Sequence, residues 1–198
     1  MPFLYNETDS DVARLEETLG TLPQPVARPG FIVISGLPGT GKSHLASLLA
    51  KRLHYLVLES DRLRKVLFPR PSYQPGESAR LFAAIHRLIE TLLKKGISVI
   101  LDATNLSERN REYLYSIADR AGAKLVIAAV EAPPETVKIR LTTRRKAPDG
   151  SEADWSVYQK MKAEVEKIGR HHLVVDTSQD TGPAIEKIAR AAEGDHKK

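Results

Sequence analysis

The 198-residue chain is 41% hydrophobic and 28% charged, a balance that suits one globular domain with a sizeable core and excludes a disordered or fibrous chain. It has no cysteine, so disulfide scaffolds, thiolate zinc sites, iron–sulfur clusters and cysteine nucleophiles are ruled out. The formal net charge of +5 admits an anionic partner without naming one.

The N-terminus MPFLYNETDSDVARLEE places acids where a signal peptide needs positive charge followed by an apolar stretch, and no later run reaches membrane-spanning length. The expectation is a soluble cytoplasmic protein with no membrane contact and no obligate protein partner. Asp9 or Ser10 can cap a short helix through Leu19, with Val12, Leu15 and Leu19 on one stripe, before the segment TLPQPVARPG interrupts it. Residues 1–30 therefore read as an acidic appendage and linker, carrying Arg14 and Arg28 against Glu7, Asp9, Asp11, Glu16 and Glu17. The remainder, 31–198, is more basic than the whole.

From Phe31 onward, short apolar runs alternate with longer amphipathic stretches, the pattern of crossover helices on a parallel sheet. Five runs are apolar enough for strands buried on both faces: FIVIS (31–35), YLVLE (55–59), ISVILDA (97–103), KLVIAAV (124–130) and HLVVDT (172–177). Between the second and third, Leu81, Ile85, Leu88 and Leu92 repeat at helical spacing and stop at Gly96, a natural residue just past a helix end. Ser107 and Ser151 are placed to cap helices running toward Arg120 and Ile168, and Pro133–Pro134 open another that reaches Arg145.

Directly after the first strand comes Gly36-Leu-Pro-Gly39-Thr40-Gly41-Lys42-Ser43, followed by His44 and the amphipathic run of a helix. This has both the spacing and the context of a P-loop. Glycines at 36, 39 and 41 let successive N–H groups curl around phosphate oxygens, and the helix N-terminus adds its positive dipole end. Lys42 can reach the β- and γ-phosphates of a nucleoside triphosphate, and the Ser43 hydroxyl is sized for a bridging Mg²⁺. No guanine-reading NKxD segment and no LSGGQ-type signature is present, and the chain is short for a motor, which leaves small phosphotransferases.

The second strand runs into Asp61, nineteen residues after Lys42, at the sheet edge where open α/β folds bind ligands. A carboxylate there can accept the proton of an acceptor hydroxyl and aim it at the γ-phosphate. The plainer alternative is that Asp61 only caps the helix it opens. Arg64, three residues on and on the same helical face, can hold an anionic group of the acceptor. The third strand delivers Asp102, the second Mg²⁺-site acid, followed by Thr104 and Asn105, which either cap the next helix or bond acceptor and metal waters. Arg140 and Arg144 lie one turn apart before the flexible APDG, as a basic lid over a triphosphate requires.

Taken together, GLPGTGKS, SDRLR, ILDATN and RLTTRR…SEADWSVYQKM resemble the small P-loop kinase family that includes polynucleotide 5′-kinase domains, with gluconate kinase and chloramphenicol phosphotransferase as cousins, over roughly residues 31–178. The resemblance implies a three-layer α/β fold with a five-stranded parallel sheet in the order 2-3-1-4-5 and a helical lid near 140–155. It implies ATP and Mg²⁺ as cofactors, and backbone or side-chain contacts to the nucleotide from Gly36, Gly39, Thr40, Gly41, Lys42, Ser43, His44, Arg140 and Arg144. Catalysis then falls to Lys42, Asp61 and Arg144, acceptor binding to Asp61, Arg64, Thr104 and Asn105, and the metal to Ser43 and Asp102. No phosphatase, ligase or nucleotidyltransferase module accompanies the kinase-like part. The expected activity is transfer of the γ-phosphate to a hydroxyl acceptor. The basic stretch Arg62, Arg64, Lys65 and Arg70 favours the 5′-hydroxyl of a polynucleotide slightly, yet only Phe68 and Tyr73 offer stacking surfaces, so a small-molecule acceptor is a close rival. A regulatory ATP-binding module that hydrolyses slowly is the reading from another class, and the presence of Asp61 argues against it.

Overall fold

The computed structural model describes residues 3–143 and 153–194. In chain order the elements are α1 (Phe3–Glu16), β1 (Gly30–Ser35), α2 (Lys42–Leu53), β2 (Leu56–Glu59), α3 (Ser60–Leu67), α4 (Pro75–Lys94), β3 (Val99–Asp102), α5 (Glu108–Arg120), β4 (Lys124–Glu131), α6 (Pro134–Thr143), α7 (Trp155–Lys162), β5 (Leu173–Asp176) and α8 (Gly182–Glu193). The five strands form one sheet in the order β2-β3-β1-β4-β5, with every pairing parallel. The sheet expected from the family resemblance is the sheet observed.

Why the strands read as unbroken apolar runs is plain from the layers. Phe31, Val33, Leu58, Val99 and Leu101 point into a core shared with α1, α3, α4 and α5. Their neighbours Ile32, Ile34, Ile100, Val126, Ala128 and Val130 point to the opposite face, against α2 and α8. Strict alternation between two covered faces leaves no position for a polar side chain until the strand ends. The long helix α4 is closed as its sequence indicates, with the Gly96 N–H bonding the Leu93 carbonyl and the Ile97 N–H bonding that of Leu92. A third, smaller cluster joins α6 and α7 through Val137, Leu141 and Tyr158, with Leu37 of the β1–α2 loop packed against it.

The N-terminal helix and linker, expected as an appendage, pack against the rest of the chain. Leu15 is wholly buried and Val12 nearly so, both inside the α3–α4 core. Asp11, 1% exposed, accepts two hydrogen bonds from the Arg80 guanidinium of α4 at 2.6 and 2.8 Å. Arg14 donates to the Val66 carbonyl at the end of α3. A helix of this length is marginal alone, and here its apolar stripe closes one side of the core. The linker is tied in as well, since the Val26 N–H donates to the Gly96 carbonyl.

Helix boundaries also differ from expectation: α1 runs from Phe3 to Glu16, so Asp9 and Ser10 lie inside it rather than cap it and Leu19 lies beyond its end. The helix foreseen from Ser151 to Ile168 is α7, which is shorter: Asp154 is its cap, accepting from the Val157 N–H at 3.0 Å, and it ends at Lys162. Ser151 and the expected continuation of α6 to Arg145 lie outside the described residues, as do Arg144 and most of the expected lid. Among the described residues no helix is long and apolar enough to cross a membrane.

Candidate active site at the C-terminal edge of the sheet

The loop between β1 and α2 is a tight glycine-rich cradle, closed on itself by the Thr40 N–H donating to the Leu37 carbonyl. Gly36 lies so close to the Val130 carbonyl that a Cβ could not be accommodated, and its N–H donates to the Thr104 carbonyl at 3.0 Å. Gly41 has φ +95 and serves as N-cap of α2 with no side-chain cap, so the positive end of that helix dipole opens on the loop. Gly39 is bracketed by Val137 and Leu141 of α6. Thr40 is buried and its hydroxyl donates to the Leu37 carbonyl, which also receives the Lys42 ammonium at 3.0 Å. Ser43 and His44 open α2 on its exposed side.

Strand register brings the acids to the same edge. Asp102 is the last residue of β3, 4% exposed, and lies beside Ile34 of β1 on one side and Glu59 of β2 on the other. Asp61 stands in the first turn of α3, partly exposed. It is not the helix cap: Glu59 occupies that position, and the helix begins at Ser60. Ser43 and Asp102 supply the hard oxygen donors that suit Mg²⁺, and among the described residues there is no cluster of three or more acids or histidines that would bind a metal unaided. A donor set this sparse fits a Mg²⁺ that arrives with the nucleotide, its phosphates and waters completing the shell.

Thr104 and Asn105 do not cap the following helix, because Ser107 does so by accepting from the Asn110 N–H. Asn105 instead has φ +47, is buried, and donates its side-chain amide to the Ile34 carbonyl at 2.7 Å. Both residues have a structural role as well: their carbonyls receive the Ser35 hydroxyl, and this staples the end of β3 to the start of the cradle.

Arg140 sits on α6 facing the cradle. It donates to the Thr177 hydroxyl and carbonyl, both at 2.8 Å, while Thr177 in turn donates to the Thr40 carbonyl. Arg140 also adds to the fields that hold the Asp176 carboxyl below its usual range, after the larger effects of the Ser178 hydroxyl and N–H. Arg64 points into a tight network rather than an open site. It pairs with Glu77, donates to the Ser78 hydroxyl at 3.3 Å, and lies 4.7 Å from the centre of the Tyr73 ring.

Three participants were not foreseen. Glu77 lies in the first turn of α4 and accepts from the Ser72 N–H and hydroxyl, the Tyr73 N–H and Arg64. Burial would raise its pKa, but these hydrogen bonds outweigh it and hold the carboxyl at about 2. Thr177 closes the far side of the cradle. Arg111, fully buried on α5, donates to the carbonyls of Asn105 and Leu106 and to those of Glu166 and Lys167. The signal for Glu77 was its place three residues after Gln74 at a proline-led helix start. No sequence pattern marks the other two.

A glycine-rich cradle between β1 and α2, on an all-parallel sheet in the order 2-3-1-4-5, defines a P-loop nucleotide-binding fold of the kinase-like type. The chain belongs to the AAA domain family, whose match spans residues 31–168. It is 28% identical over 183 residues to a UPF0200 protein of Aeropyrum pernix, covering 82% of this chain and 93% of that protein. Its fold is shared with the crystal structure of APE1195 (TM-score 0.70, 21% identity, 86% of this chain and 98% of that one). It is shared also with the APS kinase CysC of Mycobacterium tuberculosis, solved with AMPPNP and APS (TM-score 0.64, 19% identity, 86% and 100%). As the motifs led us to expect, a gluconokinase from Sinorhizobium meliloti is another fold relative, at TM-score 0.56, 23% identity, and 83% and 89% coverage.

Proposed function

We propose that this protein is an ATP- and Mg²⁺-dependent kinase that transfers the γ-phosphate to a hydroxyl acceptor. The observation that carries the reading is the shared edge: a cradle shaped for a polyphosphate, a carboxylate on β3 and another on α3, all at the C-terminal ends of parallel strands. In this reading the N–H groups of the loop and the Lys42 ammonium hold the phosphates. Ser43 and Asp102 hold the metal that neutralises developing charge. Asp61 takes the proton from the acceptor oxygen as that oxygen bonds the γ-phosphorus and the bond to the β–γ bridging oxygen breaks, leaving ADP. Arg140 steadies the nucleotide side through Thr177, and Arg144 is the transition-state cation. The kinases among the fold relatives support the same reaction class, and AMPPNP in one of them supports ATP as the donor.

The test is incubation with γ-labelled ATP and Mg²⁺ in the presence of 5′-hydroxyl DNA, 5′-hydroxyl RNA and a panel of small hydroxylated compounds. Label on an acceptor is expected, and Asp61→Asn should lower that transfer at least a hundredfold while ATP still binds. Label appearing only as free phosphate would replace the reading with a slow ATPase.

A further inference from the structure

The strand β4 is longer than the strand outside it. It pairs with β1 from Lys124 to Ala129, but β5 begins only opposite Ala128, where Leu173 takes up the register. On its outer side the stretch from Lys124 to Ile127 therefore has no strand beside it. Main-chain groups along a strand point alternately to its two sides. The Lys124 N–H bonds the Pro29 carbonyl on the β1 side, so the N–H and carbonyl of Leu125 point outward. Among the described residues no main-chain bond joins Leu125 to the segment that precedes β5.

This open edge is the floor of a cavity of about 550 Å³, formed by β4 from Leu125 to Ile127, closed at one end by Leu173 and walled by Ala191 of α8. The volume falls within the range of ligand sites. The cavity continues the line of β5 at the end of the sheet away from the cradle, where a further length of strand would lie. Its polar lining is basic: Arg170, His171 and Lys187 contribute to it and no acid does. Arg170 is matched by Glu112. The side chains of His171 and Lys187 are exposed and have no hydrogen bond or ion pair among the described residues. A bare strand edge accepts extended chains in general, and a basic surround turns away basic chains while drawing acidic ones.

We propose that this slot is a docking site for an extended acidic segment of a partner protein, which adds to the outer edge of β4 as a short strand in line with β5. The Leu125 N–H and carbonyl supply main-chain bonds, apolar side chains of the segment rest against Leu173 and Ala191, and its carboxylates meet Lys187 and Arg170. The site stands apart from the cradle and does not depend on the kinase reading.

The test uses the full chain and fluorescein-labelled pentapeptides followed by anisotropy. The probes are acetyl-Glu-Val-Glu-Val-Glu-amide, its lysine counterpart, and two forms of the acidic peptide, one N-methylated at the valines and the other at the glutamates. The acidic peptide should bind at least tenfold more tightly than the lysine peptide and weaken as salt is raised. Only one of the methylated forms should lose affinity, at least tenfold, because a strand pairs through one edge at a time. Lys187→Glu, at an exposed helix position, should abolish the preference for acid, and Ala191→Trp should block the slot, with melting curves recorded for both. If Ala191→Trp does not fold, Lys187→Glu and the methylated peptides decide the matter. No saturable binding to wild type, or equal binding of the acidic and lysine peptides, overturns the proposal. Equal behaviour of the two methylated forms overturns it as well, since the cavity would then take an amphipathic anion without strand pairing. Sedimentation velocity covers the last alternative: a dimer that dissociates in Lys187→Glu would place a second copy of this chain in the slot and overturn the proposal.

Discussion

Arg111 is the largest fully buried side chain among the described residues, and its guanidinium spends every donor group on the Glu108 carboxylate and on four main-chain carbonyls. Those carbonyls belong to two segments far apart in sequence, the loop after β3 and the stretch before β5. Replacing Arg111 by Met keeps the volume but strands the four acceptors in the interior, so a loss of about 3–5 kcal/mol in urea-unfolding free energy is expected. A conservative Arg111→Lys should recover little, because an ammonium cannot span two pairs of carbonyls. His86 offers a separate test at the scale of one proton. It lies against Phe82 and Tyr113, and burial pushes its pKa down to about 4 from the ordinary 6.5. The folded state therefore resists protonation that the unfolded chain accepts. The stability that depends on neutral His86 is complete above about pH 6.5 and is lost as the pH falls toward 4. His86→Gln should flatten the stability profile across that window by an amount on the order of 2–3 kcal/mol, read from urea midpoints at successive pH values. Glu77 and Glu90, both held at about 2, act in a lower window, from about 4.5 downward, and a slope confined there would leave the His86 assignment unsupported.

At the scale of elements, α1 makes the strongest demand. Its buried Leu15 sits with Leu81, Ile85 and Leu88 of α4 in one cluster. Leu15→Ala should cost roughly 2–5 kcal/mol, and removal of residues 1–28 should lower the melting temperature or prevent folding. An unchanged melt after that truncation would show that α4 can cover its own apolar face. That this helix exists was legible from Val12, Leu15 and Leu19, but what it packs on was not, since Arg80 lies 69 residues beyond Asp11. The same physics divides the rest. Strands covered on both faces must be apolar throughout, so all five were readable from local composition. Gly96 and Ser107 act on their own helix ends, so these ends were readable too. The end of α7 at Lys162 is set by tertiary bonds, with Arg111 and the Glu108 region claiming the chain that follows. Within the candidate site, Lys42 and Ser43 follow from a motif whose spacing is fixed by phosphate geometry, and Asp102 from its place at the end of an apolar strand. The commitment of Arg64 to Glu77, and of Asn105 to Ile34, crosses a loop or a sheet and leaves no local trace.

Across the whole molecule, the cradle is held by elements from three places in the chain: β1 and α2 form it, α6 presses on Gly39, and the turn after β5 reaches it through Thr177. A bound nucleotide would therefore stabilise more than one loop. Thermodynamic linkage sets the size of the effect, about 2.7 kcal/mol when ATP is present at a hundred times its dissociation constant. For a domain of this size that corresponds to a rise of roughly 5–10 °C in melting temperature. Lys42→Ala should abolish most of the rise, because its ammonium, held over the loop by the Leu37 carbonyl, is the cation nearest the phosphate cradle. Thr177→Val is the more informative partner. It removes the hydroxyl that links Arg140 to the Thr40 carbonyl, and so it should reduce the ATP-induced rise while leaving Lys42 and the loop glycines in place. A full rise in Thr177→Val would mean that the cradle is organised by β1 and α2 alone and that the contacts from α6 and β5 only cover it.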